Sequence, residues 1–285
     1  MKKKYGHIFL SICVCALIAL MSVSTFWVSA AAKKSQADAG TNFTFKGSMS
    51  KEVLRSYASR AITMQGFTIE NNTVNPLFEE DLRMIRRIGA KYIGRAAFYS
   101  WGGNLSDTQI ENHYKVAKEL AAKAHQADPE LILQAGIFEI AYQGTVNSTK
   151  IPAYVFEAFG QPVENRRFRW NKIVISDGNF GIGFWGSGEA GVPDITQLET
   201  KMYFYYQITR YIDAGYEAFH MGQAEMMMQY RGNNYAHHWK TVLDKERAYA
   251  KTHARRGIAL FDSHDAIDSG GIKVGNDLVF DIQAA

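Results

Sequence analysis

The strongest constraint on this chain is a recurring punctuation. Helix-like stretches stop at Gly89, Gly215 and Gly257, and a fourth stops at Asp128-Pro129. A short apolar run follows each stop, at residues 92–98, 216–221, 258–261 and 131–138. These runs are strand-length, and each opens into polar or glycine-rich residues. Strand, loop, helix, stop, strand is the pattern of βα units on a parallel sheet. Polar groups at the carboxyl ends of such strands are where α/β proteins place their chemistry.

Other segments fit the same pattern. Residues 61–69 read as a first strand. Asn75-Pro76 reads as a helix start, with Leu82, Ile85 and Ile88 on one face. Ser106 and Gln109 have capping-box spacing, as do Asp194 and Gln197. Residues 173–175 read as a short strand inside a long aromatic and glycine-rich stretch, 142–193. Strands near residues 63, 92, 131, 173, 217, 258 and 278 predict an α/β fold. The expected architecture is a (β/α)8 TIM-type barrel, truncated before its last βα unit. An open, doubly wound sheet is the alternative.

The N-terminus reads as an export signal. Lys2, Lys3 and Lys4 precede an apolar run, and small residues follow around Ala30-Ala31-Ala32. The expected organisation is a signal peptide over 1–32, a flexible lead-in over 33–50 and a barrel domain over 51–285. Left uncleaved, the same segment is the one route to a membrane. The expected location is therefore secreted or cell-surface. Cleavage removes three of the 32 basic residues and leaves 29 against 28 acidic ones. A nearly neutral chain has no general electrostatic reason to bind nucleic acid. Cys13 and Cys15 leave with the signal, which excludes a disulfide, a thiol nucleophile or a cysteine-bound metal in the remainder.

Glu139 and Glu225 each follow a buried strand, and two carboxyl groups on one rim fit glycoside hydrolysis. Glu139 lies between Phe138 and Ile140, a partly desolvated setting that suits an acid. Glu225 lies near His220 and Gln223, donors expected to hold it as the nucleophile or base. The chain resembles the barrel glycoside hydrolases that carry two glutamates at strand ends, over residues 61–285. Their familiar Asn-Glu pair is absent, because Phe138 precedes Glu139. The resemblance implies an oligo- or polysaccharide substrate and no cofactor.

Loop aromatics fit a sugar ligand, whose apolar faces stack on flat rings. Tyr99, Trp101, Tyr142, Trp170 and Trp185 are the candidates, with Arg95, His220, Gln223, Asp262 and His264 as polar contacts. Arg95 interrupts an apolar strand, and it fits a carboxylate contact, recognition of an acidic sugar or a structural ion pair. Two other readings stay open. One is a barrel that binds carbohydrate without turnover. The other is a metal-dependent hydrolase using His220, Asp262 and His264, with Asp265 and Glu225 nearby. No metal is expected on the first reading. Met226, Met227 and Met228 read as packing beneath a loop.

Overall fold

The computed structural model describes residues 41–99, 101, 103–176, 180–228, 235–264 and 270–284. The N-terminal segment read above as a signal peptide, Asp265 and the Asn233-Asn234 pair lie outside them. The chain divides into two units, Met1–Phe43 and Thr44–Ala285, and the fold described here is the second.

Helix α1, Lys51–Ala58, starts at Ser50, whose hydroxyl accepts from Val53 N–H at 3.3 Å. Strands β1, Ala61–Thr63, and β2, Ile69–Glu70, replace the expected continuous first strand. Gly66, at φ 69°, breaks the run between them. A tight turn at Asn71-Asn72 then returns the chain as β3, Thr73–Val74. Both asparagines have positive φ, which is what a two-residue hairpin turn requires.

Helix α2, Phe78–Ile88, begins two residues after Pro76, and Asn75 Oδ1 accepts from Leu77 N–H ahead of it. Phe78, Leu82 and Ile85 are buried, whereas Ile88 faces outward. Strand β4, Tyr92–Phe98, follows. Helix α3, Asp107–Ala127, opens with the full Ser106/Gln109 capping box. Strand β5, Ile132–Gly136, is buried along its whole length.

A long excursion separates β5 from the next sheet strand. It holds β6 (Ala141–Tyr142), α4 (Gln143–Ser148), α5 (Ala153–Ala158) and β7 (Ala190–Gly191). The strand expected at residues 173–175 does not join the sheet. Residues Trp170–Lys172 form a tight helical turn, and Val174 only bridges to Pro193. Ile173 and Ile175 are buried, but their backbone bonds go to Trp170, Val192 and Asp194 of the same excursion.

Helix α6, Leu198–Asp213, starts without the expected box; Asp194 Oδ1 accepts instead from Thr196. Gly215, at φ 99°, ends the turn before β8, Ala218–His220. Helix α7, Tyr235–His253, leads to β9, Leu260–His264. The expected last strand at 278–282 is divided. Strands β10, Lys273–Val274, and β11, Asp277–Leu278, form a hairpin, and β12, Ile282–Ala284, pairs β9.

The fold is α/β with a mostly parallel central sheet. Its strands lie in the order β12-β9-β8-β5-β4-β2-β3, and β1 pairs the first half of β4. The parallel members therefore follow chain order without the reversal that defines a doubly wound sheet. Among the described residues no pairing closes β12 onto β1. The register aligns Gly136 with His220, and His220 with Asp262. That alignment brings the carboxyl ends of β5, β8 and β9 level. Phe219 and Phe261 stack at 5.5 Å beneath them, and Phe204 stacks on Trp239 at 5.9 Å between α6 and α7. Burying each such ring stabilises the fold by roughly 1.5–3 kcal/mol.

Candidate active site

A cavity of about 610 Å³ opens at the carboxyl ends of the parallel strands. Its volume falls within the common range for ligand sites. Glu139 and Glu225 both line it, with Arg95, Trp101, Trp185, His220, Gln223 and His264. Eight of the residues expected at the site therefore meet in one hollow.

Glu139 is buried, and its Oε2 accepts from Gln223 N–H at 3.0 Å. Gly222 lies against the same oxygen: a Cβ there would come within 1.7 Å of it. Gly222 also has φ 66°, so both its space and its backbone require glycine. Glu225 is half-buried, and among the described residues its carboxyl group makes no hydrogen bond or ion pair. This corrects one expectation. The Gln223 donor serves Glu139, and His220 is engaged elsewhere.

Behind the carboxyl groups runs a chain of polar contacts. Gln134 donates from Nε2 to Asp262 Oδ2 at 2.6 Å and to Tyr92 OH at 2.9 Å. Asp262 Oδ1 lies 2.6 Å from His220 Nδ1. Arg95 Nη2 lies 3.3 Å from His220 Nε2 and 2.9 Å from His264 Nε2. A guanidinium can only donate, so both Nε2 atoms accept and both rings are neutral with the proton on Nδ1. His220 therefore donates to Asp262. Burial lowers the His264 pKa, with the nearby Arg95 guanidinium adding to the effect, which agrees with a neutral ring.

Arg95 reaches this position through a distortion of β4. Between the pairs Ile93–Leu133 and Ala97–Ala135, β4 takes two more residues than β5. Arg95 sits in that irregularity at φ 56°, and its freed N–H donates to Gln134 Oε1 at 2.9 Å. Bulges re-aim side chains in this way, often beside functional sites. Four non-glycine residues among those described have positive φ. Asn71 and Asn72 form the hairpin turn; the other two, Arg95 and Phe138, both line the cavity. Unfavourable backbone that serves no turn clusters at functional sites.

The aromatic expectations divide. Trp101 stays 43% exposed and meets Trp185 edge-on at 5.3 Å and Phe138 at 5.8 Å. Trp185 donates from its indole to the Glu139 carbonyl at 3.2 Å, tying the aromatic wall to the carboxylate segment. Tyr99, Tyr142 and Trp170 do not line the cavity. Tyr99 is buried in the core against His113 and Tyr114. Trp170 is buried with its indole donating to Ala141 O. Tyr142 packs beside the Phe98–Phe138–Ile140 cluster. Asp262 stands behind the wall, lining a smaller cavity of about 190 Å³ that shares Arg95, His220 and His264.

The metal reading is corrected by the same contacts. The Nε2 lone pairs of His220 and His264 are directed to a guanidinium, and His220 Nδ1 is committed to Asp262. Among the described residues no three His, Cys, Asp or Glu side chains converge on one ion position.

Sequence reasoning missed Gln65, Phe138, Gly222 and Met226 on the wall and Gln134 behind it. A glutamine inside the apolar run 131–138 was the visible signal for Gln134, since a buried amide must find partners. Gln65-Gly66 carried the corresponding signal for the broken first strand. Met226 and Met227 are buried, as a packing role requires, and Met226 also reaches the wall.

No family model matches the chain, and no curated protein matches it. Among solved structures, the debranching enzyme of Nostoc punctiforme is similar at 16% identity and a TM-score of 0.41, over 67% of this chain and 39% of that one. Trehalose-6-phosphate hydrolase of Bacillus licheniformis is similar at 9% identity and a TM-score of 0.44, over 73% and 45%. The type III pullulan hydrolase of Thermococcus kodakarensis is similar at 12% identity and a TM-score of 0.41, over 67% and 35%. The chain spans about two-fifths of the length of these proteins.

Proposed function

We propose that the cavity cleaves a glycosidic bond, with Glu139 and Glu225 as the two carboxyl groups. The supporting observation is their meeting: glutamates 86 positions apart in the chain line one hollow with two tryptophans. Hydrolysis of a glycoside needs one carboxyl group to protonate the leaving oxygen and another to attack the sugar or activate water.

Their settings divide the two roles. Glu139 is held in place by Gln223 N–H and packed against Gly222, as suits a group that must face the sugar carbon in fixed geometry. Glu225 is half-buried and its carboxyl group makes no hydrogen bond or ion pair among the described residues, as suits a proton donor that follows the leaving group. This reverses the roles expected from sequence neighbours alone. Trp101 and Trp185 supply the flat surface on which a sugar ring stacks. The saccharide is an oligo- or polysaccharide reached from outside the cell, consistent with the N-terminal signal pattern. No step in this scheme calls on a cofactor.

A panel of 4-nitrophenyl glycosides of differing sugar and anomeric configuration tests the reading. Turnover of at least one member, with release of nitrophenol above the rate in buffer, is the expected result. Tight saccharide binding with no turnover of any glycoside would instead favour a binding barrel.

A further inference from the structure

We infer that the cavity selects a saccharide carrying a carboxylate, a uronic-acid unit, and that Arg95 is the specificity-determining residue that receives it. The inference deepens the glycosidase reading and names its substrate class.

Arg166, Arg210, Arg247, Arg255 and Arg256 each lie within 3.1 Å of a carboxylate oxygen. Arg95 is half-buried, yet among the described residues it pairs with no carboxylate. Its bonding partners are two neutral imidazoles that accept from Nη2 alone. Nε and Nη1 donate to nothing among those residues. Asp262 is separated from it by the His220 ring. A guanidinium serving only to hold Glu139 or Glu225 would bond to one of them; it bonds to neither, although all three line the same hollow.

The cost of this arrangement points the same way. A partly desolvated cation with no counter-ion among the described residues is destabilising there. The left-handed backbone at Arg95 adds a further penalty. The surroundings nevertheless fix it tightly. Gln134 holds its N–H and, through Asp262 and His220, the far side of its guanidinium, while Phe138 lies 5.7 Å from the guanidinium carbon. The result is a preset cationic donor whose remaining N–H groups match a planar carboxylate. A carboxylate poised at the sugar carbon would repel an acidic sugar unless such a cation offset it.

Binding of thio-linked disaccharides, which resist hydrolysis, tests the inference by calorimetry. Three ligands are compared: a diuronide, its carboxyl-reduced neutral counterpart and a sulfated counterpart. The wild type is expected to bind the diuronide at least about tenfold more tightly than the neutral form, the usual worth of a charge-assisted hydrogen bond. Arg95→Gln is expected to abolish the preference. Arg95→Lys, which keeps the charge on a different geometry, is expected to retain part of it. Matching melting temperatures guard against misfolding. Equal binding of acidic and neutral ligands, or an unchanged preference in Arg95→Gln, would overturn the inference; so would tighter binding of the sulfated ligand. Cleavage of neutral aryl glycosides without acidic preference would remove this inference and leave the glycosidase. Acidic preference without cleavage of any oxygen-linked glycoside would do the reverse.

Discussion

At the scale of single residues, the site depends on fit around Glu139. Gly222 combines a left-handed backbone with direct contact to the carboxylate. Gly222→Ala is expected to push Glu139 from its bond with Gln223 N–H, reducing turnover at least about tenfold. The same change costs about 1–2 kcal/mol of stability from backbone strain. Kinetics and thermal melting of the variant check both halves. Unaltered turnover would mean that the Gln223 bond does not position the reacting group. The sequence made Glu139 and Glu225 legible because each ends an apolar run. It did not reveal which donors serve them. Gln223 is two residues from Glu225 but 84 from Glu139, and the turn at Gly222 aims the Gln223 backbone N–H at the distant one.

At the scale of elements, stops and caps carried most of the readable information. Gly89, Gly215 and Gly257 all adopt positive φ where the pattern placed helix ends. The Ser106/Gln109 box forms in full, with Ser106 N–H donating to Gln109 Oε1 at 2.9 Å. Ser106→Ala is expected to lower stability by about 1 kcal/mol, or roughly 2–4 °C in Tm. Turnover should stay unchanged because the box does not line the cavity. Residues 173–175 show where the pattern failed. Their apolar character is real, since Ile173 and Ile175 are buried, but burial alone does not say what covers them. Here the backbone of residues 173–175 bonds to residues 192–194 rather than to neighbouring strands, and β5 pairs β8 directly. The β4 bulge was equally hidden: Arg95 in an apolar run signals an inward-facing charge, not the two residues by which the strand slips.

At the scale of the whole molecule, parallel strands in chain order bring three strand ends to one cavity. Buried ionisable groups set how this body responds to pH. Burial lowers His113 to about 3, and burial with Arg255 and Arg256 nearby lowers His125 to about 3. Unfolding restores values near 6.5, so both favour the fold fully above that pH. Their contribution is lost as pH falls from 6.5 through about 3. Glu246 acts in the opposite sense. It is fully buried, neither carboxyl oxygen has a partner among the described residues, and burial raises its pKa well above 4.5. The folded state therefore holds that proton more tightly, and its contribution is lost as pH rises above the ordinary carboxylate range. Glu246→Gln is expected to be more stable than wild type at pH 7. It should also lose stability more steeply between pH 6.5 and 4.5, because the histidines then act unopposed. Chemical denaturation at a series of pH values reads both effects.

The most direct test of the account is turnover by the two single-carboxyl variants, Glu139→Gln and Glu225→Gln, on an aryl glycoside that the wild type cleaves. Each is expected to lose about 10²–10⁴-fold in kcat while keeping the wild-type melting temperature. With a good leaving group, which needs no protonation, Glu225→Gln should regain much of its rate and Glu139→Gln should not. Wild-type kcat in either variant would contradict the claim that these two side chains carry the reaction.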